Sequence, residues 1–164
     1  MMLTKEELLR YQRQIVLEHC TVEGQLKLKK AKVVVVGAGG LGIPAASYLA
    51  AAGIGHITII DHDTINISNL HRQVLYSNED VGQKKVTIIC QRLRSINPLI
   101  SIVGVDTRLR PENAQSLLEN HDIIIDATDN FSTRYLINDI SYLLNIPLVS
   151  ASILRSEGQL TVLN

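Results

Sequence analysis

The chain is 164 residues long, 46% hydrophobic and 20% charged, a length and balance that fit one domain with its own core and exclude a disordered chain. Sixteen basic residues offset sixteen acidic ones, and the aromatic residues are five Tyr and one Phe with no Trp. Nucleic acid is therefore not an expected partner, since both the basic field and the stacking surfaces are missing.

Thr4, followed three residues later by Glu7, forms a capping box that opens a predicted helix over "LTKEELLRYQRQIVLEHC", which carries Arg10 and Arg13. This charged start is unlike a signal peptide, and no apolar run approaches the ~18 residues of a membrane span. The expected compartment is the cytosol. Cys20 and Cys90 form no C-x-x-C pair, so the residues encode neither a zinc knuckle nor a redox dithiol. A second short helix, "EGQLKLKKA", completes an N-terminal helical arm over residues 1–31.

The remainder, 32–164, alternates strand and helix. "KVVVVG" reads as a strand buried on both faces, and the turn that follows leads into the helix "GIPAASYLAAAG", where Pro44 is tolerated in the first turn. Gly37, Gly39 and Gly42 satisfy the G-x-G-x-x-G spacing of a nucleotide-binding turn. "HITIID" is a second strand, followed by an irregular loop to about Gly82. The helix "QKKVTIICQRLRSINP" places Val86, Ile89, Cys90, Leu93 and Ile96 on one face and stops at Pro98. Then come the strand "LISIVGVD", the helix "PENAQSLLEN", the strand "DIIIDAT", the helix "STRYLINDISYLLN", and the strands "PLVSAS" and "EGQLTVLN". Such alternation predicts an α/β, Rossmann-like, doubly wound and mainly parallel sheet.

Asp61 ends the second strand, where an acid can bind a ribose hydroxyl, and this alone leaves NAD as the default nucleotide. Three later features favour a triphosphate. The loop after Asp61 is too long for an ordinary βα connection, and long loops in compact domains are usually functional. Arg72 within it and Lys85 at its close can converge on phosphates, although Lys84 and Lys85 also read as a solvated helix end. "DIIIDATDN" puts Asp126, Asp129 and Asn130 at the carboxyl edge of the sheet, where a carboxylate can hold Mg²⁺ against a triphosphate or an Asn can cap the next helix.

"RYQRQI", "GAGGLG", "DHDTINISNLHRQ", "VGQKK" and "DATDN", in this order, resemble the ThiF, MoeB and HesA family of the ubiquitin-activating superfamily. The resemblance covers nearly the whole chain. It implies ATP with Mg²⁺ as cofactors, and adenylation of the C-terminal glycine of a ubiquitin-like sulfur-carrier protein. It further implies that Gly40 contacts ATP, Asp61 binds the ribose, and Ser68, Asn69 and Arg72 belong to a phosphate-binding loop. Lys85 matches the family's catalytic lysine, and Asp129 its magnesium ligand beside Asn130. Arg13 matches an arginine that reaches the triphosphate of the neighbouring subunit, which implies a homodimer. His19, His56, His62, His71 and His121 lack ligand spacing and are expected at the surface, with His71 a possible neighbour of the nucleotide.

Family members are typically longer, with a downstream cysteine and often paired C-x-x-C motifs for zinc, so neither zinc nor a catalytic thiol is assigned. The chain is expected to be truncated at its C-terminus or to be a short paralogue, with its last strand unpaired. Two other readings stay open: an NAD-dependent oxidoreductase, and a non-catalytic nucleotide-binding partner of the same superfamily.

Overall fold

The computed structural model describes residues 2–163; Asn164, the end of the last predicted strand, lies outside them. Six strands form one sheet: β1 (Lys32–Val36), β2 (His56–Asp61), β3 (Ser101–Asp106), β4 (Ile123–Asp126), β5 (Leu148–Leu154) and β6 (Glu157–Leu163). Their order is β3-β2-β1-β4-β5-β6. The first five are parallel, and β6 returns antiparallel to β5.

The valines of β1 are buried on both faces because the strand lies at the centre. Val33 and Val35 face a core shared with α4 (Gly42–Ala52) and α5 (Lys85–Ile96). Val34 and Val36 face a second core under α6 (Pro111–Leu118) and α7 (Phe131–Leu144). Of the predicted stripe on α5, Val86, Ile89, Cys90 and Leu93 are buried and Ile96 is half-buried, and Ile88 joins them. The order of strands reverses between β1 and β4, and the crevice outside their carboxyl ends is where such sheets bind ligands.

Two elements depart from expectation. The predicted first helix breaks at Tyr11 into α1 (Lys5–Arg10), which begins with the Thr4–Glu7 capping box, and α2 (Gln12–Ile15). The break turns Tyr11 inward, where its hydroxyl accepts a hydrogen bond from the Asn97 amide at 2.8 Å. The last strand is not left unpaired. Only Arg155 and Ser156 separate β5 from β6, and Arg155 takes a φ of 57°, so the chain folds back as a tight hairpin instead of crossing over through a helix.

The arm is completed by α3 (Thr21–Lys30), and it is fastened to the far end of α4. Gln14 and Gln25 both donate to the carbonyl of Ala52, at 2.8 and 3.0 Å, and Asn97 donates to that of Ala50 at 2.7 Å. Side-chain amides thus satisfy carbonyls that the end of a helix leaves without intrahelical partners. Gly53 follows in the left-handed region, packed against Tyr11 and Gln25.

Candidate nucleotide cleft

A cleft of about 1130 Å³ opens at the carboxyl ends of β1, β2 and β4. Its floor is the turn between β1 and α4. Gly37 has a φ of 102°, and a Cβ there would stand 2.7 Å from the carbonyl of Ala127. A Cβ on Gly42 would sit 1.8 Å from the carbonyl of Gly37, so helix and turn meet backbone to backbone. Among the described residues, the N–H groups of Gly39, Gly40 and Leu41 donate to no protein acceptor. Free N–H groups at the start of a helix form a ready anion site.

Asp61 fixes this turn to β2. One carboxylate oxygen accepts the Ala38 N–H and the other the Asp63 N–H, both at 2.7 Å. Each oxygen keeps a further lone pair for a ligand hydroxyl. The Tyr76 hydroxyl, buried in the loop, donates to the carbonyl of Ala38 at 2.9 Å. Burial pushes its phenol well above the ordinary range, which keeps it a proton donor.

The loop between Asp61 and Lys85 supplies the cations. Arg72 lies over Gly40, and its guanidinium donates to the carbonyl of Ser68 at 3.3 Å. Ser68 and Asn69 line the cleft, but each also shapes the loop: the Ser68 hydroxyl donates to Asn66 at 2.9 Å, and Asn69 accepts the Asn66 N–H at 3.3 Å. The two adjacent lysines diverge. Lys84 is exposed and pairs with Asp106 at 3.1 Å, which fits a solvated helix end. Lys85 points into the cleft wall with only 7% of its side chain exposed, 2.8 Å from Asp63. That hydrogen bond holds the Asp63 carboxyl below the usual carboxylate range.

The opposite wall departs from the sequence expectation. Asp126 does not offer its carboxylate to a cation in the cleft; it is wholly buried. It accepts from the Thr128 N–H and hydroxyl at 3.0 and 2.6 Å and from the Ser150 hydroxyl at 2.9 Å, and it pairs with Arg134 at 3.3 Å. Asn130 lines the cleft and caps α7 by accepting the Thr133 N–H at 3.0 Å. Asp129 is exposed in the same wall, and among the described residues its carboxylate accepts no hydrogen bond. Magnesium uses one or two carboxylates together with phosphate oxygens, and this free carboxylate meets that requirement. Asp61, His62 and Asp63 also lie close enough together to ligate a metal, but backbone N–H groups and Lys85 already engage both acids.

The cleft therefore gathers Gly37, Gly39, Gly40, Asp61, Ser68 and Asn69 with Arg72, Lys85, Asp129 and Asn130. Gly42 supports it from behind, and Arg13 is not part of it. Arg13 is exposed on α2, next to Gln14, which grips the C-terminal end of α4. Residue patterns alone missed Asp63, Tyr76 and Arg134, whose partners are remote in sequence or lie in irregular chain.

A model described as the ThiF family matches residues 11–164. A sulfur carrier protein adenylyltransferase of Thermus thermophilus is 50% identical over 159 residues, covering 97% of this chain and 59% of the relative. An adenylyltransferase and sulfurtransferase MOCS3 of Anopheles gambiae is 54% identical over 162 residues, covering 99% of this chain and 37% of the relative. The chain thus spans about two fifths to three fifths of the length of these relatives. Among solved structures, E. coli tRNA N6-threonylcarbamoyladenosine dehydratase TcdA in complex with ATP superposes with a TM-score of 0.85 at 30% identity, over 92% of this chain and 61% of that one. E. coli MccB with ATP gives 0.78 at 34% identity, over 87% and 44%.

Proposed function

The chain belongs to the ThiF family, and on that premise we propose that its cleft binds ATP and adenylates the C-terminal glycine carboxylate of a ubiquitin-like sulfur-carrier protein. The observation that carries this reading is the convergence of Arg72, Lys85 and the free N–H groups of the glycine turn on one side of the cleft, with Asp129 on the other. That arrangement suits a polyanion with a bound cation. The name of the relative at 50% identity supports a carrier protein as the second substrate, and that of the relative at 54% supports adenylyl transfer.

In the proposed reaction a carboxylate oxygen attacks the α-phosphorus, the bond from that phosphorus to the bridging oxygen breaks, and pyrophosphate leaves with its electron pair. No proton is transferred, so the demand is for positioning and charge neutralisation. Asp61 would hold the ribose. Arg72 and Lys85 would stabilise the charge that builds on the leaving group, where an oriented donor contributes roughly 3–4 kcal/mol. Asp129 would hold Mg²⁺, which when bound would neutralise part of the triphosphate charge.

Arg13 fits a role in trans. Helix α4 has 11 residues, or about 16 Å of length, and it separates the arm from the glycine turn. Arg13 would then complete the cleft of a second copy in a homodimer.

ATP with Mg²⁺ is expected to raise the melting temperature by mass action on the folded state, and NAD is not. Stabilisation by NAD at lower concentration than ATP would overturn the reading.

A further inference from the structure

Lys85 and Asp63 come from the two ends of the long loop, and the structure joins those ends. The Lys85 N–H donates to the carbonyl of Asp63 at 3.0 Å, and Thr64 forms an antiparallel bridge with Lys84. The ion pair sits at this closure. The lysine side chain is 7% exposed and its counter-ion 53%, so the cation lies in the wall of the cleft and the acid faces solvent. A buried ammonium requires an opposite charge, and among the described residues Asp63 is the only acid within ion-pair distance of it. Asp63 is itself held, because its N–H is bound by Asp61, whose other oxygen holds Ala38 of the glycine turn. One chain of hydrogen bonds thus runs from the turn through Asp61 and Asp63 to the Lys85 ammonium.

We propose that Asp63 is a positioning residue for adenylate formation, which fixes the Lys85 ammonium in register with Asp61 and the glycine turn before the nucleotide enters. The proposal rests on the adenylation reading above. An anion at this place does not attract phosphate, so its contribution is to the location of the cation and not to the affinity for ATP. A flexible lysine would still find the triphosphate in the ground state, but it would meet the leaving group in the transition state less often.

Two readouts separate this inference from the reading it rests on. The first is the side-chain ammonium signal of Lys85 in ¹H–¹⁵N spectra of the full chain, assigned by its loss in Lys85→Arg. It is expected to be slow to exchange in the native protein, lost in Asp63→Asn and recovered in part in Asp63→Glu; a signal unchanged in Asp63→Asn overturns the proposal whatever the chain catalyses. The second is exchange of label between pyrophosphate and ATP, with a ubiquitin-fold carrier ending in glycine as the probe. Asp63→Asn is expected to lower kcat on the order of 10- to 100-fold with KM for ATP unchanged, and to cause no further loss in Lys85→Met. A raised KM with kcat kept, or losses that multiply in the double variant, would make Asp63 a residue of loop folding only. Absence of exchange in the native chain would count against the adenylation reading, and the ammonium signal would then decide the claim about Asp63.

Discussion

Asp126 and Asp129 stand three residues apart and have opposite fates, decided by what lies above each. Asp126 is covered by β5 and α7 and takes hydrogen bonds from Thr128 and Ser150 with Arg134 beside it, so its charge is spent inside the protein. Asp129 lies past the end of the strand and keeps its carboxylate free. The same contrast separates Lys84 from Lys85. In the proposed site Asp61 and Lys85 act on different parts of the nucleotide, and their variants should differ in kind. Asp61→Ala is expected mainly to raise KM for ATP through lost ribose hydrogen bonds, with a smaller fall in kcat because the Asp63 N–H loses its acceptor. Lys85→Ala is expected to lower kcat on the order of 10² to 10³, measured by pyrophosphate exchange. Normal turnover in Lys85→Ala would leave the lysine as no more than the buried partner of Asp63.

In the proposed site the loop between β2 and α5 is the part that adapts a generic sheet to a polyanion, and polar contacts hold it together with Ile65 and Tyr76 in the core. Tyr76 pins it to the glycine turn. Asp80 closes its second half by accepting the Ser77 N–H at 2.8 Å and pairing with Arg92 at 3.3 Å. The Ser77 N–H, with its hydroxyl and Arg92, holds the Asp80 carboxyl below the usual range. A carboxyl depressed in the folded state contributes stability above its unfolded pKa of about 3.9, and that contribution is lost as pH falls through the lower folded value. Native protein should therefore melt above Asp80→Asn at pH 7, and the gap should narrow below about pH 4. A gap that stays constant down to pH 3 would contradict this.

Such elements differ in how far the residues announce them. The valines of β1, the glycine spacing, the Thr4–Glu7 cap and the stripe on α5 are local patterns, and each is legible in a short window of sequence. The break at Tyr11 is not, because the inward-turned Tyr11 is bound by Asn97, a residue far along the chain that meets it only once α3, α4 and α5 have packed. Asp63 reads as one more polar loop residue until the loop closes and brings Lys85 to it. The direction of β6 turned on the two residues Arg155 and Ser156, which carry no strong hairpin signal.

For the whole molecule, the arrangement of arm and cleft matters most. The arm grips the C-terminal end of α4 while the glycine turn lies at its N-terminal end, so Arg13 and Lys85 of one copy do not share a site. In a two-fold dimer each cleft would draw Arg13 from the other copy. Arg13→Ala and Lys85→Ala proteins, each nearly inactive alone, are then expected to regain activity when co-folded, since one cleft of the mixed dimer has both residues. No recovery in mixed dimers verified by mass would mean that Arg13 does not act across the interface.

In the proposed reaction this cleft joins AMP to a carrier carboxylate. The decisive measurement follows transfer of label from pyrophosphate into ATP, with Mg²⁺, in the presence of a ubiquitin-fold carrier that ends in glycine or of the same carrier without that glycine. Label should enter ATP only with the intact carrier, because the reverse reaction requires a carrier adenylate. Equal exchange with both carriers, or none with either while the protein still binds ATP, would mean that the cleft does not adenylate a carrier glycine.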